Sequence, residues 1–491
     1  MKAGLTTAVV ALSAAVMTLD MTVVTIALPD IGRDLDAGLQ DSQWIVNGYV
    51  LIFASLLLGC GALCDRVPRR PLFIGGHTLF GLASLLCALA PSSGWLIAGR
   101  VIQALGATLV FATCMPILAD THEGDERGRA RAVGAFTAAG AAAAALGPLV
   151  GGVLVGGGGW RWIFVVNLPV SAVAIAAMLA AGRGAPEPQR RSGSPDWLST
   201  ALVAIGVFTL NYALVTGPTS GWGSPSVLAA IVAAAILLLC FARLQLRHGR
   251  DALLDLHLFR IPTFSAAMLL SFTGRLVTFG LLPYLIFWLS GRQHLSPVQV
   301  GFVLLALALP MVVIAAPSSA LGHGNHVNLV TGGAMSVTAI GLLWLGLALG
   351  PDATWARALG PLFVIGIGSG AAMPHMMNLA LAVVPASRAG ATTGAANTAF
   401  PLGTATGVAV FGALLSTRVN ALPWAPAPAR EAIASGRFEL LGQMFPSSLV
   451  EEAIAAFTSG LSLICFTGTA LAALCAVVCF TAIHSQDRRE D

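Results

Sequence analysis

The sequence predicts an all-α polytopic membrane protein. Three observations predict it. Of the 491 residues, 56% are hydrophobic and only 10% are charged, and the apolar residues gather in runs long enough to cross a bilayer. A soluble domain carries about 25% charged residues. The net charge of +4 does not argue for nucleic acid; its distribution over loops carries more information.

A membrane helix needs about 20 mostly apolar residues. Fourteen segments satisfy this: 5–28, 43–64, 72–91, 95–118, 131–155, 160–182, 197–216, 225–245, 263–290, 298–321, 327–349, 355–384, 391–416 and 459–483. The first has no small-residue cleavage site leading into a polar chain, so it reads as a span rather than a removed signal peptide. The pair 197–216 and 225–245 follows a linker, "RGAPEPQRRSGSPD", at 183–196. Residues 417–458 form a long loop, first Pro-rich, then helical and amphipathic.

Arginine placement sets the orientation. The loops on the N-terminal side hold Lys2, Arg66, Arg69, Arg70, Arg127, Arg129, Arg131, Arg183, Arg190, Arg191, Arg243, Arg247, Arg250, Arg260, Arg388, Arg488 and Arg489. The opposite side holds Arg33, Arg161, Arg292, Arg357, Arg418, Arg430 and Arg437. The last three share the long loop, where the positive-inside rule counts little. Both termini are therefore expected in the cytoplasm, and an even number of spans agrees.

The eight cysteines form no CxxC pair, so neither a zinc site nor a disulfide framework is expected. His323 and His326 have no third ligand, and no metal is expected. No P-loop is present, so ATP is not the expected energy source. No nucleophile–base–acid set points to an enzyme.

Three charges remain inside spans: Asp20, Arg100 and Arg275. An ionised side chain at the bilayer centre costs roughly 2.5–3.5 kcal/mol on the gentler insertion scale and should pair or face water. Asp20 lies about 8 residues, roughly 12 Å, from the outer end of span 1. Arg100 lies about 5 residues, roughly 8 Å, below the outer end of span 4. The two share the outer half of the membrane and can pair. The pair is either a static brace or a switch that protonation of Asp20 releases. Arg275, in "SFTGRLVTFG", is near mid-span; its expected partners are Asp20, an acidic group on a substrate, an aromatic ring or helix-end carbonyls. His375, in "MPHMMNLAL", either titrates in a cavity or packs through hydrogen bonds. Met376 beside it suits an adaptable apolar wall. Gln103, Asn378 and Asn397 are either polar contacts for a substrate or interhelical hydrogen bonds.

Several motifs carry a family resemblance. "GALCDRVPRR" (61–70) places Gly61, Asp65, Arg66, Arg69 and Arg70 at the end of span 2. It resembles the loop 2–3 signature of the major facilitator superfamily, with Pro68 where Gly is usual. These charges can form a latch that breaks between conformations. "RVIQALGA" (100–107) resembles the span 4 motif, with Ala104 for a usual Gly. "LGPLVGG" (146–152) resembles the span 5 motif of the antiporter branch: Gly147-Pro148 bends the helix, and Gly151 and Gly152 admit a close neighbour. "LDMTVVTIALP" (19–29), with Thr25 for a usual Asn, and "WRWIFVVNLP" (160–169) resemble signatures of the 14-span drug:proton antiporters. Trp44 and Tyr49 in "WIVNGYVL" also fit that group. Two stretches of the second half, 366–385 and 388–415, look like its spans 12 and 13. The second loop motif has decayed to "LGHGNHVNLV".

The resemblance implies two six-helix bundles plus two additional helices. The divisions are then 1–182, 183–262 (linker and extra pair) and 263–491. It implies a proton-coupled exporter of amphiphilic small molecules, in multidrug or antibiotic efflux, working by alternating access in the bacterial cell (inner) membrane. Asp20 and Arg100 would couple the proton; Arg275, His375, Met376, Asn378, Asn397, Gln103 and Tyr49 would meet substrate. Protons and lipids are the other expected partners, the proton gradient replaces any cofactor, and a monomer is expected. The alternatives are a facilitator or importer without proton coupling, or a lipid exporter, on the same fold.

Overall fold

Helices account for nearly all of the computed structural model, which describes residues 2–64, 67–122, 125–180, 196–248, 256–321, 326–350, 353–382 and 389–483. In chain order they are α1 (Lys2–Asp34), α2 (Leu39–Cys64), α3 (Arg69–Ala88), α4 (Ser93–Thr121), α5 (Glu126–Gly158), α6 (Trp162–Val165), α7 (Asn167–Ala180), α8 (Trp197–Ser220) and α9 (Pro225–His248). There follow α10 (Pro262–Phe279), α11 (Leu282–Phe287), α12 (Pro297–Leu321), α13 (Val327–Ala348), α14 (Ala356–Ala382), α15 (Ala389–Asn420), α16 (Ala427–Ala434), α17 (Phe438–Met444) and α18 (Ser447–Ala482). Among the described residues, twelve helical segments are long and apolar enough to cross a membrane. The other two long helices, α2 and α5, run 26 and 33 residues and pack among them.

The helix ends follow from local chemistry. Ser92, Asp125 and Asp196 accept from the backbone N–H of Trp95, Gly128 and Ser199, capping α4, α5 and α8. Gly159, at φ +84°, ends α5 in a backbone region that only glycine enters without strain. Two expected spans are broken. Segment 160–182 divides after Val165 because Pro169 has no N–H for that carbonyl. Segment 263–290 divides after Phe279, the carbonyl Pro283 cannot bond, and then closes in a π-turn at Trp288–Arg292. The final span starts earlier than its apolar run suggests: α18 begins at Ser447, so the amphipathic end of the 417–458 loop is its first turns.

Packing gathers the helices into two groups. In one, α1 packs on α5, α4 and α7, and α3 and α2 pack on α4. In the other, α13 packs on α14 and α18, α12 on α14, and α10 on α15, α14 and α18. The groups meet through α5 against α12 and α2 against α15, while α8 lies on both α2 and α15 and carries α9 outside it. Residues such as Val232, Ile236 and Leu239 of α9 are exposed, as a lipid-facing surface requires. α16 and α17 form a lid over one end, packed on α15, α18 and α2.

Lipid gives helices no hydrophobic reason to associate, so close approach of backbones matters. α3 and α4 cross at Gly76 and Gly106; a Cβ on Gly106 would lie 2.5 Å from the Phe80 nitrogen. Gly106→Leu is therefore expected to abolish folded, membrane-inserted protein, read as loss of the monodisperse peak in detergent chromatography. Gly75→Leu, at a position open to 4 Å, should leave that peak intact.

Candidate functional site

Five helices converge on one buried polar cluster. α1 supplies Asp20, α3 supplies Ser84, α7 supplies Asn167, and α2 supplies Tyr49 and the Ile45 carbonyl. On α4, Arg100 and Gln103 stand three residues apart and so share a face. Arg100 Nη1 donates to Asp20 Oδ2 at 2.5 Å and to Gln103 Oε1 at 2.6 Å. Its Nε donates to the Ile45 carbonyl at 3.3 Å. The guanidinium lies over the Tyr49 ring, 4.1 Å from its centroid, with Phe164 at 5.9 Å.

The second carboxylate oxygen is also satisfied. Asp20 Oδ1 accepts from Gln103 Nε2 at 3.1 Å and from Asn167 Nδ2 at 2.9 Å. Both amides also donate to Ser84 Oγ, at 2.9 and 3.3 Å. Ser84 in turn donates to the Phe80 carbonyl at 2.7 Å. Asp20 is 2% exposed and Arg100 1%. Two opposite charges withdrawn from water repay their desolvation only with good geometry and further hydrogen bonds, and this cluster supplies both. Chemically, it can hold a carboxylate against a guanidinium in one state and release that guanidinium when a proton neutralises the acid.

The structure thus brings together Asp20, Arg100, Gln103 and Tyr49. Asn167 and Ser84 complete the cluster and were not among the expected site residues. The signal for Asn167 was present: it is the lone strongly polar side chain in the apolar run "IFVVNLP".

The remaining expected residues lie elsewhere. Arg275 is half-buried on α10, stacked 4.5 Å from the Phe279 ring centroid. Met376 reaches from α14 toward Gly274, the neighbour of Arg275. His375 is 2% exposed and lies between α14 and α12, its Nε2 3.0 Å from Ser318 Oγ and 3.1 Å from the Ser318 carbonyl. The side chains of Asn378 and Asn397 and the surroundings of Gly61 are outside the described set, as are Asp65 and Arg66. Of the loop 2–3 residues, Arg69 pairs with Asp120 at the end of α4 and donates to the Pro116 carbonyl at 3.3 Å; Arg70 is half-exposed.

The GPxxGG residues serve two interfaces. A Cβ on Gly147 would meet the Thr22 hydroxyl of α1, and one on Gly151 would meet Val23, also of α1. A Cβ on Gly152 would lie 2.5 Å from the Pro297 carbonyl of α12, and Gly301 of α12 faces the Pro148 carbonyl. The same motif therefore packs one helix group internally and seats it on the other. Further contacts join the groups at this end. Gln43 Nε2 donates to Tyr284 Oη at 2.9 Å and to the Val408 carbonyl at 3.2 Å. Arg437 of the lid pairs with Asp36 at 2.5 Å. A cavity of about 580 Å3 opens here between α1, α5 and α12, bordered by Asp30, Arg33, Asp34 and Arg161. Its charges pair with one another, Arg33 with Asp30 and Arg161 with Asp34.

Residues 10–408 match the family described as Major Facilitator Superfamily. The chain belongs to that superfamily. Among its relatives, the methylenomycin A resistance protein of Bacillus subtilis (strain 168) is 32% identical over 83% of this chain and 86% of its own. The tetracenomycin C resistance and export protein of Streptomyces glaucescens is 31% identical over 98% of this chain and 92% of its own. A solved bacterial homologue of the human lysosomal transporter Spinster, inward-facing and unoccupied, superposes with a TM-score of 0.70 at 17% identity, covering 100% of this chain and 99% of that one. That likeness concerns the fold alone. This major facilitator is accordingly a multi-pass membrane transporter whose relatives are antibiotic-resistance and efflux proteins.

Proposed function

We infer that this transporter exports amphiphilic small molecules in exchange for protons. The observation that carries the reading is the Asp20–Arg100 pair: a carboxylate and a guanidinium, almost fully buried inside the span region, joined by a single short bond that protonation would remove. The relatives' names support drug or antibiotic efflux as the direction. The reading takes α2 and α5 as spans, giving fourteen, with divisions at 1–182, 183–262 and 263–491. It places both termini in the cytoplasm of a bacterial cell, with the lid outside, and the working unit is a monomer.

In this reading the two bundles rock about the buried pair. The contacts between groups at the lid end make this the state closed to the outside. Substrate meets the face of α10 that carries Phe272, Arg275 and Phe279, with Met376 alongside. A guanidinium there favours neutral or anionic polycyclic compounds over cations. The test uses everted membrane vesicles holding a preformed proton gradient, challenged with a broad panel of antibiotics and dyes. An exported compound should dissipate the gradient. If Asp20→Asn vesicles respond as the unaltered ones do, the coupling assignment fails.

The Arg69–Asp120 pair acts in this scheme as a latch at the cytoplasmic end. It is part-exposed, and such a pair contributes about 0–1 kcal/mol to stability. Asp120→Asn should therefore leave the melting temperature nearly unchanged while lowering efflux several-fold. The exchange Arg69→Asp with Asp120→Arg should recover part of that efflux, measured as dye accumulation in cells.

A further inference from the structure

We propose that Asn167 is the positioning residue that accepts the hydrogen bond of protonated Asp20, by turning its side-chain amide through half a revolution. The inference rests on the proton-coupling reading above and goes beyond it by naming the acceptor.

A protonated carboxyl needs a hydrogen-bond acceptor that the ionised form does not. Asp20 Oδ2 faces Arg100, which only donates. The acceptor must therefore face Oδ1, where the partners are the two amides of Gln103 and Asn167. While Arg100 is still in place, as it is when the proton arrives, Gln103 cannot turn: its Oε1 takes a 2.6 Å bond from Arg100, and rotation would bring its NH2 against the guanidinium. Asn167 can turn. Its Oδ1 is buried with no hydrogen-bond partner among the described residues, so rotation breaks nothing on that side. With Asp20 ionised, Asn167 Nδ2 donates to Oδ1. When a proton from water forms an O–H bond at Oδ1, the turned amide presents its carbonyl, and N–H···O becomes O–H···O with no other covalent change. Ser84, beside both amides, still accepts from Gln103.

The other charged or titratable groups near Asp20 do not compete for this role. They are Arg100 from α4, Tyr49 from α2 and Cys87 from α3. Arg100 has no acceptor atom, Tyr49 lies against the guanidinium, and Cys87 Sγ lies against Gly99. The part of α5 facing this stretch of α1 offers Gly147 and Gly151.

Acid-minus-neutral infrared difference spectra of the full chain in lipid vesicles test this with the proton as the only probe. Beyond the bands of the other carboxyls, which every variant shares, the unaltered protein should show an added protonated-carboxyl band together with a shifted side-chain amide carbonyl band. Asp20→Asn should lose both. Asn167→Leu should lose the amide component and move the carboxyl band to the higher frequency of a free acid. Asn167→Ser, which keeps a hydroxyl that can accept, should lose the amide component but hold the carboxyl band near its original position. An amide band that persists in Asn167→Leu, or a carboxyl band that does not move, overturns the proposal while the coupling reading stands. An Asp20→Asn spectrum that keeps the whole carboxyl signal of the unaltered protein overturns both.

Discussion

Asp20→Asn is expected to abolish substrate-driven proton movement while leaving the protein folded enough to exchange substrate across the membrane. The asparagine keeps the shape of the aspartate and an oxygen for Arg100, so the cluster can persist. What it loses is the charge. Removing one member of a buried pair leaves the other uncompensated, at about 3–5 kcal/mol. Part of that is offset here, because Arg100 retains Gln103 Oε1, the Ile45 carbonyl and the Tyr49 face. Arg100→Leu alone should be worse, since it strands a carboxylate with only two amide donors. The double variant Asp20→Leu with Arg100→Leu separates stability from coupling. Replacing a buried ion pair by apolar residues is often neutral or stabilising by about 1–4 kcal/mol. That variant should melt at or above the temperature of the unaltered protein, yet fail to dissipate a proton gradient. A double variant that still couples would place the proton site elsewhere in the chain.

The pairing of Asp20 with Arg100 was legible in the sequence because the physics is restrictive: a charge in lipid must find a partner, and depth along a helix follows from residue number. Ser84 and Asn167 were not, since four helices must be triangulated before their place in the cluster appears. The split of the GPxxGG motif was legible in principle. Residues 147 and 151 stand one turn apart and share a face, while 152 points about 100° away. Which helix each face meets was not, because α5 could pack in several orders. The breaks at Val165 and Phe279 follow from Pro169 and Pro283, but prolines elsewhere in the chain sit within unbroken helices. Pro148 in α5, Pro310 in α12 and Pro401 in α15 are examples. Sequence alone does not say which proline divides a helix. His375 illustrates the same boundary: its lone position in an apolar run fits a cavity or a packed interface, and its partner Ser318, 57 residues away, cannot be read from that run.

Gly152→Leu is expected to shift the transporter away from the conformation described here, with a larger effect on transport than any lid substitution. A Cβ at this position would lie 2.5 Å from the Pro297 carbonyl and 3.1 Å from Val298 Cα. These are backbone atoms of the other helix group, so no rotamer change relieves the clash; α5 and α12 must separate. The contrast is Gly151→Ala, one residue away. Its Cβ would meet α1 at 3.3 Å, a tight contact within one group that slight adjustment can absorb. The two substitutions should therefore diverge. Moving an equilibrium from 1:99 to 99:1 takes about 5.5 kcal/mol, and side-chain overpacking alone costs about 1–3 kcal/mol. A backbone collision should lie above that range, enough to make the separated state dominant. The measurement is alkylation of a cysteine introduced at Val155, which is 5% exposed beside this contact. Labelling should rise steeply in Gly152→Leu and stay near the background level in Gly151→Ala. Equal labelling in the two would mean that α5 and α12 do not form the closed contact in the membrane, and the reading of the lid-end contacts as closure to the outside would fall.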